Sequence, residues 1–211
     1  MTRMTTTTAA SANTGIHAKR FGHDRYTVRR KVFKLLGAAF HVYDPQENLV
    51  LYSKQKAFKL KEDIRLYSDE SMGTELISIA ARSVIDFSAA YDVIDSQARQ
   101  KVGALKRKGM KSILRDEWVI LDARDQEIGT LMEDSMTSAL IRRFVEAAAF
   151  LFPQKFHATV RGQTVCTFQQ NFNPFVRKIV VDFSMDGNCL LDRRLGLAAA
   201  ILLAAIESRE G

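Results

Sequence analysis

Short runs of alternating apolar and polar residues recur along most of the chain, separated by polar turns. The first such unit consists of residues 40–44 and 49–52. Alternation with a period of two is typical of a β-strand that buries one face. Further units of the same form begin at these residues: Ile64, Tyr91, Trp118 and Phe156. The pattern predicts five β-hairpins in series, preceded by one more strand over residues 26–35.

Hairpins in series need something to cover their apolar faces. A single hairpin is marginal in water, and an open sheet also leaves unpaired edges that invite aggregation. Closure into a barrel removes those edges. We therefore predict a mainly β fold, a closed antiparallel β-barrel built from hairpin repeats.

The end of the chain carries an apolar helix. Residues 195–206 contain no polar side chain, and a helix of that length spans about 18 Å, short of the roughly 30 Å of a bilayer core. A helix that is apolar on every side must be buried on every side. We expect a central helix at about 193–208, running through the barrel.

A second helix interrupts the repeats. Residues 137–152 place Leu140, Ile141, Phe144 and Val145 at helical spacing, and Pro153 follows. We expect an inserted surface helix at about 137–152. Residues 1–24, rich in Thr and with no apolar run, are expected to form a disordered basic tail, and residues 25–211 a single domain.

Charge is distributed unevenly. The net charge is +7, yet residues 1–39 hold eight basic residues and one acidic residue, so the rest of the chain is neutral. A nucleic-acid domain normally spreads its basic residues over a folded face, so we do not expect nucleic acid as a partner. Cys166 and Cys189 show no metal or redox spacing and are expected to be free thiols. The sequence contains none of the common nucleotide-binding or hydrolase motifs, so we expect no enzymatic activity and no cofactor.

The order of elements resembles the superfamily of LURP-one-related, tubby-like and phospholipid scramblase proteins, in particular a bacterial branch of LURP-one-related proteins. The resemblance rests on these segments: Lys31-Val32-Phe33-Lys34-Leu35, Phe40-His41-Val42-Tyr43-Asp44, Ala57-Phe58-Lys59-Leu60, Asn171-Phe172-Asn173-Pro174-Phe175 and Leu191-Asp192-Arg193-Arg194-Leu195. It covers about residues 26–207. It implies a barrel of about twelve strands around the C-terminal helix. Fold alone does not transfer function, because tubby domains bind phosphoinositides whereas scramblases move lipids.

Two basic connectors are the binding candidates. Connectors from different repeats can meet at one end of a barrel and offer cations to phosphate. The candidate residues are Lys54, Lys56, Lys59 and Lys61 after the first hairpin, and Arg107, Lys108, Lys111 and Arg115 after the third. The alternative is that these residues only solubilise strand edges.

An acidic segment before the final helix raises the question of calcium, because the resemblance to scramblases places an acidic loop there. The weak candidates are Asp182, Asp186 and Asp192. Their spacing is not that of an EF-hand. We instead expect Asp192 to cap the final helix and Asp186 to form a turn.

We expect a cytoplasmic, non-enzymatic binding protein, peripheral at a membrane surface, that recognises anionic phospholipid head groups. The alternative is a scaffold or regulatory protein with a protein partner, and a phospholipid scramblase ranks below both. No transmembrane span is expected, and the sequence leaves the oligomeric state open.

Overall fold

The computed structural model describes residues 19–33, 37–55, 63–83, 90–108, 117–134, 154–171 and 176–206. Within these ranges it contains twelve strands and a long C-terminal helix. The strands are β1 Arg25–Phe33, β2 Gly37–Tyr43, β3 Leu49–Gln55, β4 Asp63–Tyr67, β5 Glu75–Ala81, β6 Ala90–Asp95, β7 Gln100–Arg107, β8 Glu117–Leu121, β9 Glu127–Glu133, β10 Lys155–Val160, β11 Gln163–Asn171 and β12 Val176–Asp182. The helix, α1, is Arg193–Ile206.

The strands form a closed antiparallel barrel. Each strand pairs with the next one in sequence, and β1 closes the barrel by pairing with β12. Among the described residues the seam between β3 and β4 is the thinnest, with the single pair Tyr52 and Tyr67. The predicted fold class is confirmed. The predicted inserted helix at 137–152 lies outside the described residues.

The hairpin turns explain why the repeats fold locally. In the first, the Asp44 carboxylate accepts hydrogen bonds from the backbone N–H groups of Gln46 (2.9 Å) and Asn48 (2.8 Å). Asp95 and Asp122 accept backbone N–H groups in the same way in the third and fourth hairpins. Each of the five turns also contains a non-glycine residue in the left-handed region: Glu47, Met72, Arg99, Asp125 and Arg161. The side-chain oxygens stabilise each turn through local hydrogen bonds, without contacts from distant strands.

The α1 helix forms the centre of the core. Leu197, Ala198, Ala200 and Ile201 are completely buried, as expected for a helix that is apolar all round. Gly196 allows the Phe183 ring to approach closely, because an added Cβ would lie 2.5 Å from that ring. The prediction of a central helix is confirmed.

The barrel has two chemically different ends. The entry end contains the five hairpin turns and residues 183–192, which lead into α1. The exit end, towards which α1 runs, contains the end of β1, the beginning of β12 and the end of β3. At the entry end, the Arg20 guanidinium donates to the carbonyl oxygens of Val50 (2.8 Å) and Ser68 (3.2 Å), so this part of the predicted tail contacts the barrel.

Candidate functional site

An open cavity of about 930 Å³ lies at the entry end, beside the first turn of α1. Its apolar lining includes Phe21, Val102 and Ile128. Its charged lining consists of four aspartates and two arginines: Asp24, Asp95, Asp122, Asp192, Arg193 and Arg194. The Arg194 guanidinium lies 2.5 Å from the Asp95 carboxylate and 2.6 Å from that of Asp192. The lining therefore carries a formal excess of two negative charges, which does not suit an anionic head group.

The Asp186 carboxylate has a purely structural environment. Its side chain is completely buried and 2.9 Å from the Arg193 guanidinium. It also accepts the backbone N–H groups of Leu190 (2.8 Å) and Leu191 (3.0 Å). Arg193 in turn lies over the Phe183 ring, 4.5 Å from its centroid. Together these contacts fix the segment that turns the chain into the barrel.

The other two calcium candidates also contact protein donors. Asp192 accepts the backbone N–H of Arg194 at 2.9 Å, so its predicted role as helix cap is confirmed. Asp182 pairs with Arg25 at 2.5 Å and accepts the N–H of Ser184 at 2.9 Å. In the part of the chain that the structure describes, no group of three or more His, Cys, Asp or Glu side chains is arranged to hold a metal ion.

The two predicted basic connectors differ where the structure describes them. Lys54, the second-last residue of β3, is exposed and has no ion pair with a described residue. Lys108, after β7, pairs with Glu117 at 2.5 Å. Three strands, β4 to β6, separate Lys54 from Arg107 and Lys108 around the barrel, although both connectors leave from the exit end. The remaining candidates lie outside the described residues: Lys56, Lys59, Lys61, Lys111 and Arg115.

Lys54 instead belongs to a different group of cations, on the wall formed by β12, β1, β2 and β3. Ala39 on β2 pairs with Lys31 on β1 and with Lys54 on β3. The two lysines therefore lie on strands about 10 Å apart. Lys178 projects from the outer face of β12. Arg30 and Arg177 alternate with these residues and face the barrel interior. We call these five residues the basic corner: Arg30, Lys31, Lys54, Arg177 and Lys178.

The inner members of the basic corner are directly opposed. Arg30 on β1 pairs in register with Arg177 on β12. Burial lowers the pKa of Arg30 to about 10, with a further contribution from the positive charge of Arg177. Arg30 also lies near the Phe40 ring, 5.8 Å from its centroid. Two like charges therefore meet inside the exit end.

The sequence analysis listed Lys54 as a site candidate and counted Arg30 and Lys31 in the basic N-terminal segment, but it singled out neither Arg177 nor Lys178. The alternation of inward and outward residues along β1 and β12 could have shown that two arginines face inwards. Tyr26, Val28 and Arg30 share one face of β1, and Arg177, Ile179 and Val181 share one face of β12. Both arginines therefore occupy inward positions that the pattern assigns to apolar residues.

The two cysteines are free, Cys166 buried and Cys189 exposed. Burial raises the pKa of the Cys166 thiol well above its usual value, so this group is not a reactive nucleophile. Among the described residues, none of the helices combines the length and the apolar character needed to cross a bilayer.

Comparison with known proteins identifies the family. The profile described as LURP-one-related matches residues 49–203, which is most of the barrel and α1. A crystal structure of a protein from Arabidopsis thaliana is similar over 87% of this chain and 91% of that one, with 12% identity and a TM-score of 0.47. No curated protein matches the sequence. On the strength of the profile match, the chain belongs to the LURP-one-related family.

Proposed function

We propose that this protein is a non-enzymatic, peripheral membrane-binding protein of the cytoplasm that recognises anionic phospholipid head groups through the outer face of the basic corner. The observation that carries this proposal is the group formed by Lys31, Lys54 and Lys178. None of the three has an ion pair with a described residue. Free ammonium groups on one face are suited to the negative potential of a membrane surface.

The position of these lysines supports surface contact. Lys31 and Lys54 are exposed, and Lys178 is half-buried. The sequence candidates Lys56, Lys59 and Lys61 follow Lys54 directly and add positive charge in the same connector. Each lysine near an anionic surface contributes about 1 kcal/mol of binding free energy. Such binding should weaken as salt screens the charges.

The test is co-sedimentation with liposomes at physiological salt, comparing vesicles of phosphatidylcholine alone with vesicles that also contain phosphatidylserine or a phosphoinositide. We expect the full chain to pellet only with the anionic vesicles. The double variant Lys31→Glu/Lys54→Glu should lower the partition coefficient about tenfold or more. Recovery in the supernatant with every lipid would overturn the proposal and favour the alternative of a protein partner.

A matched control variant distinguishes binding through the basic corner from binding that depends only on net charge. Arg99 and Arg124 are exposed cations in the entry-end turns after β6 and β8. The variant Arg99→Glu/Arg124→Glu changes the net charge by the same amount at the other end of the barrel. It should retain most of the binding. Equal losses in the two double variants would mean that binding follows total charge, not the basic corner.

A further inference from the structure

Arg30 is an unusual residue for the interior of a barrel. Its side chain is only 5% exposed, on the face of β1 that also carries Tyr26 and Val28. Its Nε and Nη1 atoms are buried and have no hydrogen-bond partner among the described residues. A buried, unpaired charge is strongly unfavourable. A group that accepts hydrogen bonds and carries negative charge would remove this cost.

Arg177, on the neighbouring strand, also lacks an ion pair with a described residue. It is opposite Arg30 in the β1–β12 register and is partly exposed, whereas Arg30 is buried. No described carboxylate forms an ion pair with either arginine. Among the described residues, these two opposed arginines therefore have no counter-ion.

The surrounding interior is polar on this side. Gln170 on β11 is 6% exposed, and its Oε1 atom is buried and has no partner in the part of the chain that the structure describes. Gln170 pairs with Ile179, which lies two residues from Arg177 on the same inward face of β12. A 180° rotation of the amide would present N–H donors in place of this oxygen. Ser53 and Gln55 on β3 are also buried and hydrogen-bond to each other at 3.1 Å.

We infer that Arg30 and Arg177, with the Gln170 amide beside them, form a binding site for a phosphate monoester group inside the exit end. A phosphate monoester carries nearly two negative charges and three acceptor oxygens, which match two guanidinium groups in charge and in donors. A single carboxylate would neutralise only one of them. The inference deepens the proposed function and rests on it where the phosphate belongs to a lipid. The same chemistry would also accept free phosphate.

The experiment compares the wild-type chain with Arg30→Met, which preserves the length and apolar character of the side-chain stem. In the first arm, thermal unfolding is followed with inorganic phosphate and with sodium chloride at equal ionic strength. In the second arm, binding is measured to vesicles that contain either phosphatidic acid or phosphatidylserine at equal surface charge. Phosphatidic acid presents a phosphate monoester, whereas phosphatidylserine does not.

We expect phosphate to raise the unfolding temperature of the wild-type chain but not of Arg30→Met if free phosphate enters the site. If the site accepts lipid, the wild-type chain should prefer phosphatidic acid, and Arg30→Met should lose this preference by about tenfold or more. The variant should still bind phosphatidylserine, because the outer lysines are intact. Lys31→Glu/Lys54→Glu is the converse control, with weaker vesicle binding but an unchanged response to phosphate.

Three results would overturn the inference. One is the absence of both a phosphate response and a preference for phosphatidic acid in the wild-type chain. Another is an Arg30→Met variant that keeps either response. The third is an Arg30→Met variant that is less stable than the wild-type chain without phosphate, since this would mean that Arg30 is paired within the protein. Failure of all vesicle binding with a retained phosphate response would overturn only the membrane proposal.

Discussion

Buried charges are paired at the entry end, whereas those in the basic corner have no partner among the described residues. At the entry end, Asp186 and Arg193 satisfy each other and the backbone around them. In the basic corner, Arg30 and Arg177 are directly opposed without a described counter-ion. Pairing at the entry end holds the segment that leads into α1. The uncompensated charge in the basic corner opposes folding, which favours a role in binding, because functional sites often cost stability.

Because the buried charges at the entry end are paired, we expect the removal of one of them to be strongly destabilising. Asp186→Ala should lower the free energy of unfolding by about 3–5 kcal/mol, because it leaves Arg193 and two backbone N–H groups without their buried partner. Chemical denaturation monitored by the Trp118 fluorescence measures this. Asp182→Ala is the control from the same segment. Its partner Arg25 is largely exposed, so its loss should cost about 1 kcal/mol. Similar losses in both variants would contradict the structural role of Asp186.

Removal of a charge in the basic corner should have the opposite sign. Arg30→Met should raise the free energy of unfolding by about 1–2 kcal/mol in phosphate-free buffer, since an apolar side chain replaces a buried charge without partners. The same denaturation assay reports this change. Lys31→Met, on the adjacent exposed position, is the control and should change stability by less than about 0.5 kcal/mol. A destabilised Arg30→Met variant would remove the contrast between the two ends.

The smallest expected effect is a loss of folding stability at acid pH, caused by the carboxyl groups of the entry end. Burial acts to raise the pKa of Asp182, but hydrogen bonds from Ser184 and Arg25 and the Arg25 charge outweigh it, and the pKa is lowered from 3.8. For Asp44, burial again raises the pKa, and hydrogen bonds from Asn48 and Gln46 outweigh it. Carboxyls with a lowered folded pKa stabilise the protein above their unfolded pKa, and this stability is lost as the pH falls through the folded pKa.

Unfolding by urea at pH values from 6 down to about 3 checks this sign. We expect little change in stability near neutral pH and a decline below about pH 4. Asp182→Asn should flatten the decline. Arg30→Met should leave it unchanged, because arginine stays protonated over this range. A decline of equal slope in the wild-type chain and Asp182→Asn would show that other carboxyls control the acid response.

The connector lysines show where prediction from sequence ends. The sequence placed Lys54 and Lys108 in equivalent basic segments, and both are at the exit end. Lys108 is neutralised by Glu117 on the adjacent strand, whereas Lys54 is opposite Ala39 and close to Lys31. A charge count along the chain cannot separate these cases, since cross-strand neighbours depend on the register of the sheet.

The sequence by itself determined the hairpins, their acidic turns and the central helix. These features depend on local hydrogen bonds and on the period of apolar residues, as at Asp44 and in α1. Only the tertiary structure decided that Arg30 faces Arg177 inside the barrel and that the Asp186 carboxylate is buried against Arg193. Closure of β1 onto β12 joins the two ends of the sheet, and that pairing depends on contacts between residues far apart in the chain.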